Sequence, residues 1–180
     1  IILSEMVWNI PFHNLNNHLA SALLKLEGWS QVWQLRVNVS KCSVLHLGLH
    51  NPLFTYTLNA KPLPMANCVR DLGVTYDNKL RFDDYIHKIV SKASQMVNLI
   101  YRTFVSKNTD LLCRAFKTYV RPILEYCTPV WSPYLLHDIN KIENVQRYFT
   151  RRLFPGQQLT YTECLSLTSR MATPGILAYI

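Results

Sequence analysis

IHKIVSKASQMVNLIYRTF, residues 86–104, carries its apolar side chains at Ile86, Ile89, Val90, Ala93, Met96, Val97, Ile100 and Phe104. With successive residues set roughly 100° apart, as in a helix, these fall within one arc, and Lys88, Lys92, Gln95 and Arg102 gather on the opposite side. The spacing predicts an amphipathic helix with one face for a core and a second, basic face for solvent or an acidic partner.

The next segment repeats the arrangement, with Leu112, Ala115, Phe116 and Tyr119 on its apolar side and Arg114, Lys117 and Arg121 on the other. Between Lys88 and Arg121 seven residues are basic and one, Asp110, is acidic. A third helix, over about 138–153, sets Ile139, Ile142, Gln146, Phe149 and Leu153 on one face. Arg147, Arg151 and Arg152 collect near its end, where the helix dipole alone also favours cations. Three such helices can bury their apolar stripes against one another as a small bundle.

Between the second and third of these helices lies YVRPILEYCTPVWSP, residues 119–133. Pro122 disfavours a helical conformation at Arg121, so the basic helix is expected to stop or kink there. Trp131, between Pro129 and Pro133, is expected to plug the bundle. Glu125 stands among Ile123, Leu124 and Tyr126, where an unpaired carboxylate would be costly, and Arg121 is its expected partner.

Upstream the pattern is mixed. Leu15, Leu19, Ala22, Leu23, Leu26, Trp29 and Trp33 have helical spacing over about 14–35. Residues 42–48 and 54–58 are short and β-compatible, and 68–76 reads as a third strand interrupted at Gly73. Pro52, Pro62 and Pro64 punctuate the connections. The fold class expected is therefore α+β: a helix with short antiparallel strands to about residue 80, a linker near 77–83, and a helical bundle beyond it.

The chain has 180 residues, 49% of them hydrophobic, and a formal charge of +8, which suits an acidic partner, nucleic acid first, although a basic soluble domain has the same balance. No apolar run approaches the roughly 20 residues that cross a membrane. IILSEMVW lacks the charged start of a signal peptide, so an intracellular location is expected and no membrane partner. Cys42, Cys68, Cys113, Cys127 and Cys164 are odd in number and scattered, which suggests neither a disulfide framework nor a zinc site. The six histidines show no metal-ligand spacing. A start at Ile1 and an apolar end, GILAYI, read as a fragment.

Four blocks in succession, GWSQVWQLRVNVSKCSVLHLG, VRDLGVTYDNKLRF, FKTYVRPILEYCTPVWSP and INKIENVQRYFTRR, resemble the C-terminal part of the reverse transcriptase of non-LTR (LINE-like) retrotransposons of the jockey and CR1 kind. The resemblance covers about residues 15–165. It implies the end of a polymerase palm over 1–80, a helical thumb over 81–155 and a divergent tail over 156–180. In that family the carboxylates that bind two magnesium ions lie upstream of the position of Ile1, and two-metal phosphoryl transfer needs such a cluster. Asp83-Asp84 is the nearest substitute here and reads better as a helix cap. The resemblance thus implies no cofactor in this chain and magnesium only in the full-length polymerase, whose upstream part would be a partner.

Residue by residue, the resemblance makes Lys41 a candidate general acid near the incoming triphosphate, or else an ordinary surface lysine entering the following strand. Leu72 and Gly73 match a primer-grip hairpin whose glycine allows close approach of the backbone, or else an ordinary turn. Where relatives carry a histidine before the isoleucine that opens the thumb, this chain has Tyr85 before Ile86, with His87 following. Lys88, Lys92, Arg102, Arg114, Lys117 and Arg121 match thumb positions that track the phosphates of an RNA-DNA or DNA template-primer duplex, or else form a solvated face. A non-catalytic nucleic-acid-binding module and a decayed fragment without selected function are the alternatives.

Overall fold

The structure is a computed structural model that describes residues 2–5, 12–48, 51–106, 108–155 and 159–167, with the side chains of 2–5, 12–16, 165 and 167 left aside. The chain divides into two compact units, Ile1–Arg81 and Phe82–Ile180. It is α+β, and among the described residues no helix is long and apolar enough to cross a membrane.

In the first unit, strand β1 (Ile2–Glu5) leads to helix α1 (Phe12–Val32), a 3-10 turn (Val39–Lys41) and strand β2 (Ser43–His46). Two-residue strands follow, β3 (Thr57–Leu58), β4 (Lys61–Pro62) and β5 (Met65–Ala66), and then β6 (Cys68–Asp71) and β7 (Val74–Asp77). The main sheet has the order β1-β2-β5 and is parallel throughout, with Ile2 opposite Ser43 and Val44 opposite Met65. This corrects the expectation of antiparallel strands alone: α1 acts as the crossover that a parallel pair requires. The antiparallel pairs are the hairpins β3-β4 and β6-β7. The single interrupted strand expected over 68–76 is the second of these.

Strand β2 is flanked on both edges, and its Val44, Leu45 and His46 are buried. Leu23, Cys42, Val44, Tyr56, Leu58 and Leu63 form a core, with Leu19 and Leu26 of α1 packed against it. The covered stripe of α1 is narrower than its periodicity suggests. Trp29 and Trp33 are 48% and 64% exposed, Ala22 is exposed too, and Ser30 takes an inward position, its hydroxyl donating to the Leu35 carbonyl at 2.6 Å. The helix ends in a Schellman motif, Leu35 N–H to Ser30 O at 3.0 Å and Gln34 N–H to Gln31 O at 3.3 Å, with Gln34 at φ 54° where glycine is usual. The Leu15 side chain, expected on this face, lies outside the described residues.

The second unit is helical: α2 (Asp83–Thr103), α3 (Thr109–Tyr119), the short α4 (Arg121–Glu125) and α5 (Thr128–Trp131), α6 (Leu136–Leu153) and α7 (Tyr161–Leu167). Helix α2 buries Tyr85, Ile86, Ile89, Ala93, Val97 and Ile100. A buried aliphatic side chain of this size contributes about 2 kcal/mol of transfer free energy, which holds the helix against its neighbours α3, α4 and α6. Phe116 of α3 stacks on Phe149 of α6 with ring centroids 4.4 Å apart, and the hydroxyl of Tyr101 donates to the Phe149 carbonyl at 2.7 Å.

Helix α3 stops one residue before the position expected from Pro122. Val120 separates the two helices, and Arg121, expected to be non-helical before Pro122, is instead the first residue of α4, with Pro122 in that first turn, where its missing N–H costs nothing. Tyr119, expected on the core side, is 51% exposed, because the helix ends with it and the fully buried Val120 completes the apolar arc. Trp131 is 1% exposed, donates Nε1–H to the Tyr126 carbonyl at 2.7 Å and meets Tyr85 edge-on at 5.5 Å. Glu125 is paired with Arg121. Of the tail over 156–180, only 159–167 lies within the described residues.

Candidate nucleic-acid interface

The basic face of α2 follows from its packing. With the apolar arc turned inward, Lys88, Lys92 and Arg102 are exposed and lie within an arc of about 80° at helical spacing, with Gln95 and Leu99 between them. Among the described residues these cations have no ion-pair partner. Arg114 is exposed on α3 and likewise lacks one, whereas Lys117, one turn on, is half-buried. Lys117 and Asp110 act in opposite senses on Cys113, whose thiol is pushed up chiefly by burial, then by Asp110, with Lys117 drawing it back.

Arg121 differs from the other five. Its side chain is 19% exposed and its guanidinium is committed to Glu125, with Nε 2.7 Å and a terminal nitrogen 2.5 Å from Oε1. It links the first residue of α4 to the last. Asp83 and Asp84 occupy the first turn of α2, not the capping position, which belongs to Phe82 at φ 59° and ψ 10°. There they complement the helix dipole. Among the described residues no three His, Cys, Asp or Glu side chains converge as metal ligands.

Lys41, Leu72 and Gly73 belong to the first unit. Lys41 is exposed and closes the 3-10 turn before β2, its N–H donating to the Asn38 carbonyl at 3.1 Å. Leu72 and Gly73 are the two turn residues of the β6-β7 hairpin, at φ 45° and 92°. Two positive φ values in a two-residue loop define a type I′ turn, which suits Gly73 and strains Leu72. The Leu72 side chain is 82% exposed.

Sequence periodicity does not reveal how α6 is joined to α2. Arg152 lies 4.5 Å from the ring centre of Tyr101 and donates to the Tyr148 hydroxyl at 2.8 Å, and that hydroxyl donates to Asn98 Oδ1 at 3.1 Å. Burial pushes the Tyr101 phenol well above the ordinary tyrosine range, and the Arg152 charge draws it partly back. His87 is exposed on α2, with Nε2 3.0 Å from Lys141 Nζ, which also donates to buried Asp138 at 3.0 Å. The Tyr148–Arg152 spacing is legible in the sequence; Asn98 and Tyr101, some fifty positions away, are not.

No protein-family profile matches the chain, and no solved structure does. An uncharacterized protein of Caenorhabditis elegans is 28% identical over 88 residues, which amount to 49% of this chain and 44% of that protein. The match thus spans less than half the length of that relative.

Proposed function

We propose that the chain is the template-primer-holding part of a non-LTR retrotransposon reverse transcriptase, with the upstream part of the same polymerase supplying the magnesium-binding aspartates. The observation that carries this reading is the α2 face of Lys88, Lys92 and Arg102, solvent-facing and without carboxylate partners among the described residues. A row of unneutralised cations held at fixed spacing by a rigid helix is suited to a phosphate backbone, which it meets without reading sequence. Arg114 and Lys117 extend the charge onto α3, and Arg121 pairs within α4 with Glu125. Lys41 would act on the departing pyrophosphate and the Leu72–Gly73 turn would approach the primer end, both within the complete enzyme. The chain by itself extends no primer in this reading.

The test is fluorescence anisotropy with an RNA-DNA duplex across a salt series. Each phosphate contact adds about 0.9 to the log-log slope on B-form DNA, with a similar order on a hybrid. Lys88→Gln, Lys92→Gln and Arg114→Gln combined should therefore flatten the slope by roughly three units. A folded triple variant that keeps the parental affinity and slope overturns the reading.

A further inference from the structure

Helices α6 and α7 flank a pocket of about 70 Å³ that none of the cations assigned to the duplex-binding face lines. Arg147 and Arg151 form one side, Tyr161 and Cys164 another, and Phe154 and Leu159 close it with apolar surface. The two arginines stand four residues apart on α6 and so share a face. The Arg147 guanidinium lies 5.1 Å from the ring centre of Tyr161. That ring is fixed in turn by its hydroxyl, which donates to Oε1 of Glu143, a carboxylate only 5% exposed. Among the described residues neither Arg147 nor Arg151 has a carboxylate partner, Glu143 included.

We propose that this cavity is a binding site for a single phosphate group. Two guanidinium groups offer planar forks of N–H donors and a formal double positive charge, which a phosphate with its several acceptor oxygens can satisfy together. A carboxylate fills one fork only. Stacking on Tyr161 holds Arg147 in place before any ligand arrives, which lowers the ordering cost of binding. The site stands apart from the duplex-binding reading, because it shares no residue with it.

The experiment titrates the full chain with inorganic phosphate at constant ionic strength, following heat release and the alkylation rate of Cys164. Saturable binding that slows Cys164 alkylation is expected, with roughly tenfold weaker affinity in Arg151→Gln from loss of charge-assisted hydrogen bonds. Arg147→Lys, which keeps the charge but loses the fork, should weaken binding as well. Competition by a short DNA strand with a 5′-phosphate, but not by its 5′-hydroxyl counterpart, would assign the site to strand ends. Equal competition would assign it to internal phosphodiesters. Absence of saturable phosphate binding to the unaltered chain, or undiminished binding in a folded Arg151→Gln, overturns the proposal, and neither outcome bears on the salt slope set by Lys88, Lys92 and Arg114.

Discussion

Arg121 reaches one helical turn forward to Glu125, and two of its contacts, at 2.7 and 2.5 Å, converge on a single carboxylate oxygen. With the two side chains 19% and 32% exposed, the pair is only partly screened by water. Arg121→Gln should therefore lower stability by about 1 kcal/mol in urea denaturation. The same substitution should leave the salt dependence of duplex binding nearly unchanged, whereas Lys88→Gln flattens it by about 0.9. Equal slope changes from the two substitutions would show that Arg121 meets phosphate after all.

Leu72 occupies a left-handed turn position at φ 45° with its side chain 82% exposed, so it bears backbone strain with little burial in return. Leu72→Asn should stabilise the hairpin by about 1 kcal/mol, and Gly73→Ala, at φ 92°, should destabilise it by a similar amount. The urea midpoint should move in opposite directions for the two variants at constant m-value.

Two phenols, Tyr101 and Tyr161, are held above the ordinary tyrosine range, both chiefly by burial, and Tyr161 next by its hydrogen bond to Glu143. Their folded-state values exceed the unfolded ones, so the stability they contribute is complete below the ordinary phenol value and is lost as pH rises through and beyond it. Tyr101 and Tyr161 should titrate late in a phenolate absorbance titration, and Tyr161→Phe should remove one late step. An absorbance titration that Tyr161→Phe leaves unchanged above the ordinary phenol range, with the chain still folded, would contradict this.

Thr160 and Glu163 form a capping box at the start of α7. The Thr160 N–H and hydroxyl both donate to Glu163 Oε2 at 2.7 Å, and the Glu163 N–H donates back to Thr160 Oγ at 3.4 Å. These bonds, the hydroxyl's first, hold the Glu163 carboxyl below its usual range. The cap is therefore fully effective above the ordinary glutamate value and is lost as pH falls through the lowered folded value. Hydrogen exchange of the α7 amides should accelerate over that acid window. Glu163→Gln should abolish the pH dependence while retaining part of the protection.

Helices α2 and α6 were legible because a single-sided apolar arc repeated over many turns has one physical solution, burial of that side. The Arg121–Glu125 pair was legible because one acid among apolar neighbours has few ways to be satisfied. The parallel pairing of β2 was not, since a short apolar run such as Ser43–His46 carries no sign of strand direction. Nor was the exposure of Trp29 and Trp33: helical spacing says which residues share a face but not how wide a neighbour covers it. The Schellman ending at Gln34 and the turn at Leu72 lacked the glycine that usually marks them. Arg147 on Tyr161 and Arg152 on Tyr101 join residues that come together only once the helices pack.

Among residues 82–180, Trp131 is the sole tryptophan of the sequence. Because its indole is 1% exposed and hydrogen-bonded to a backbone carbonyl, its emission should lie well to the blue of the solvent-facing Trp29 and Trp33. Replacing Trp8, Trp29 and Trp33 by phenylalanine would leave a chain with one indole, seated against Tyr85 where α2 begins. Energy transfer from that tyrosine and the colour of the indole would then report the opening of the helical unit separately from the sheet-bearing one.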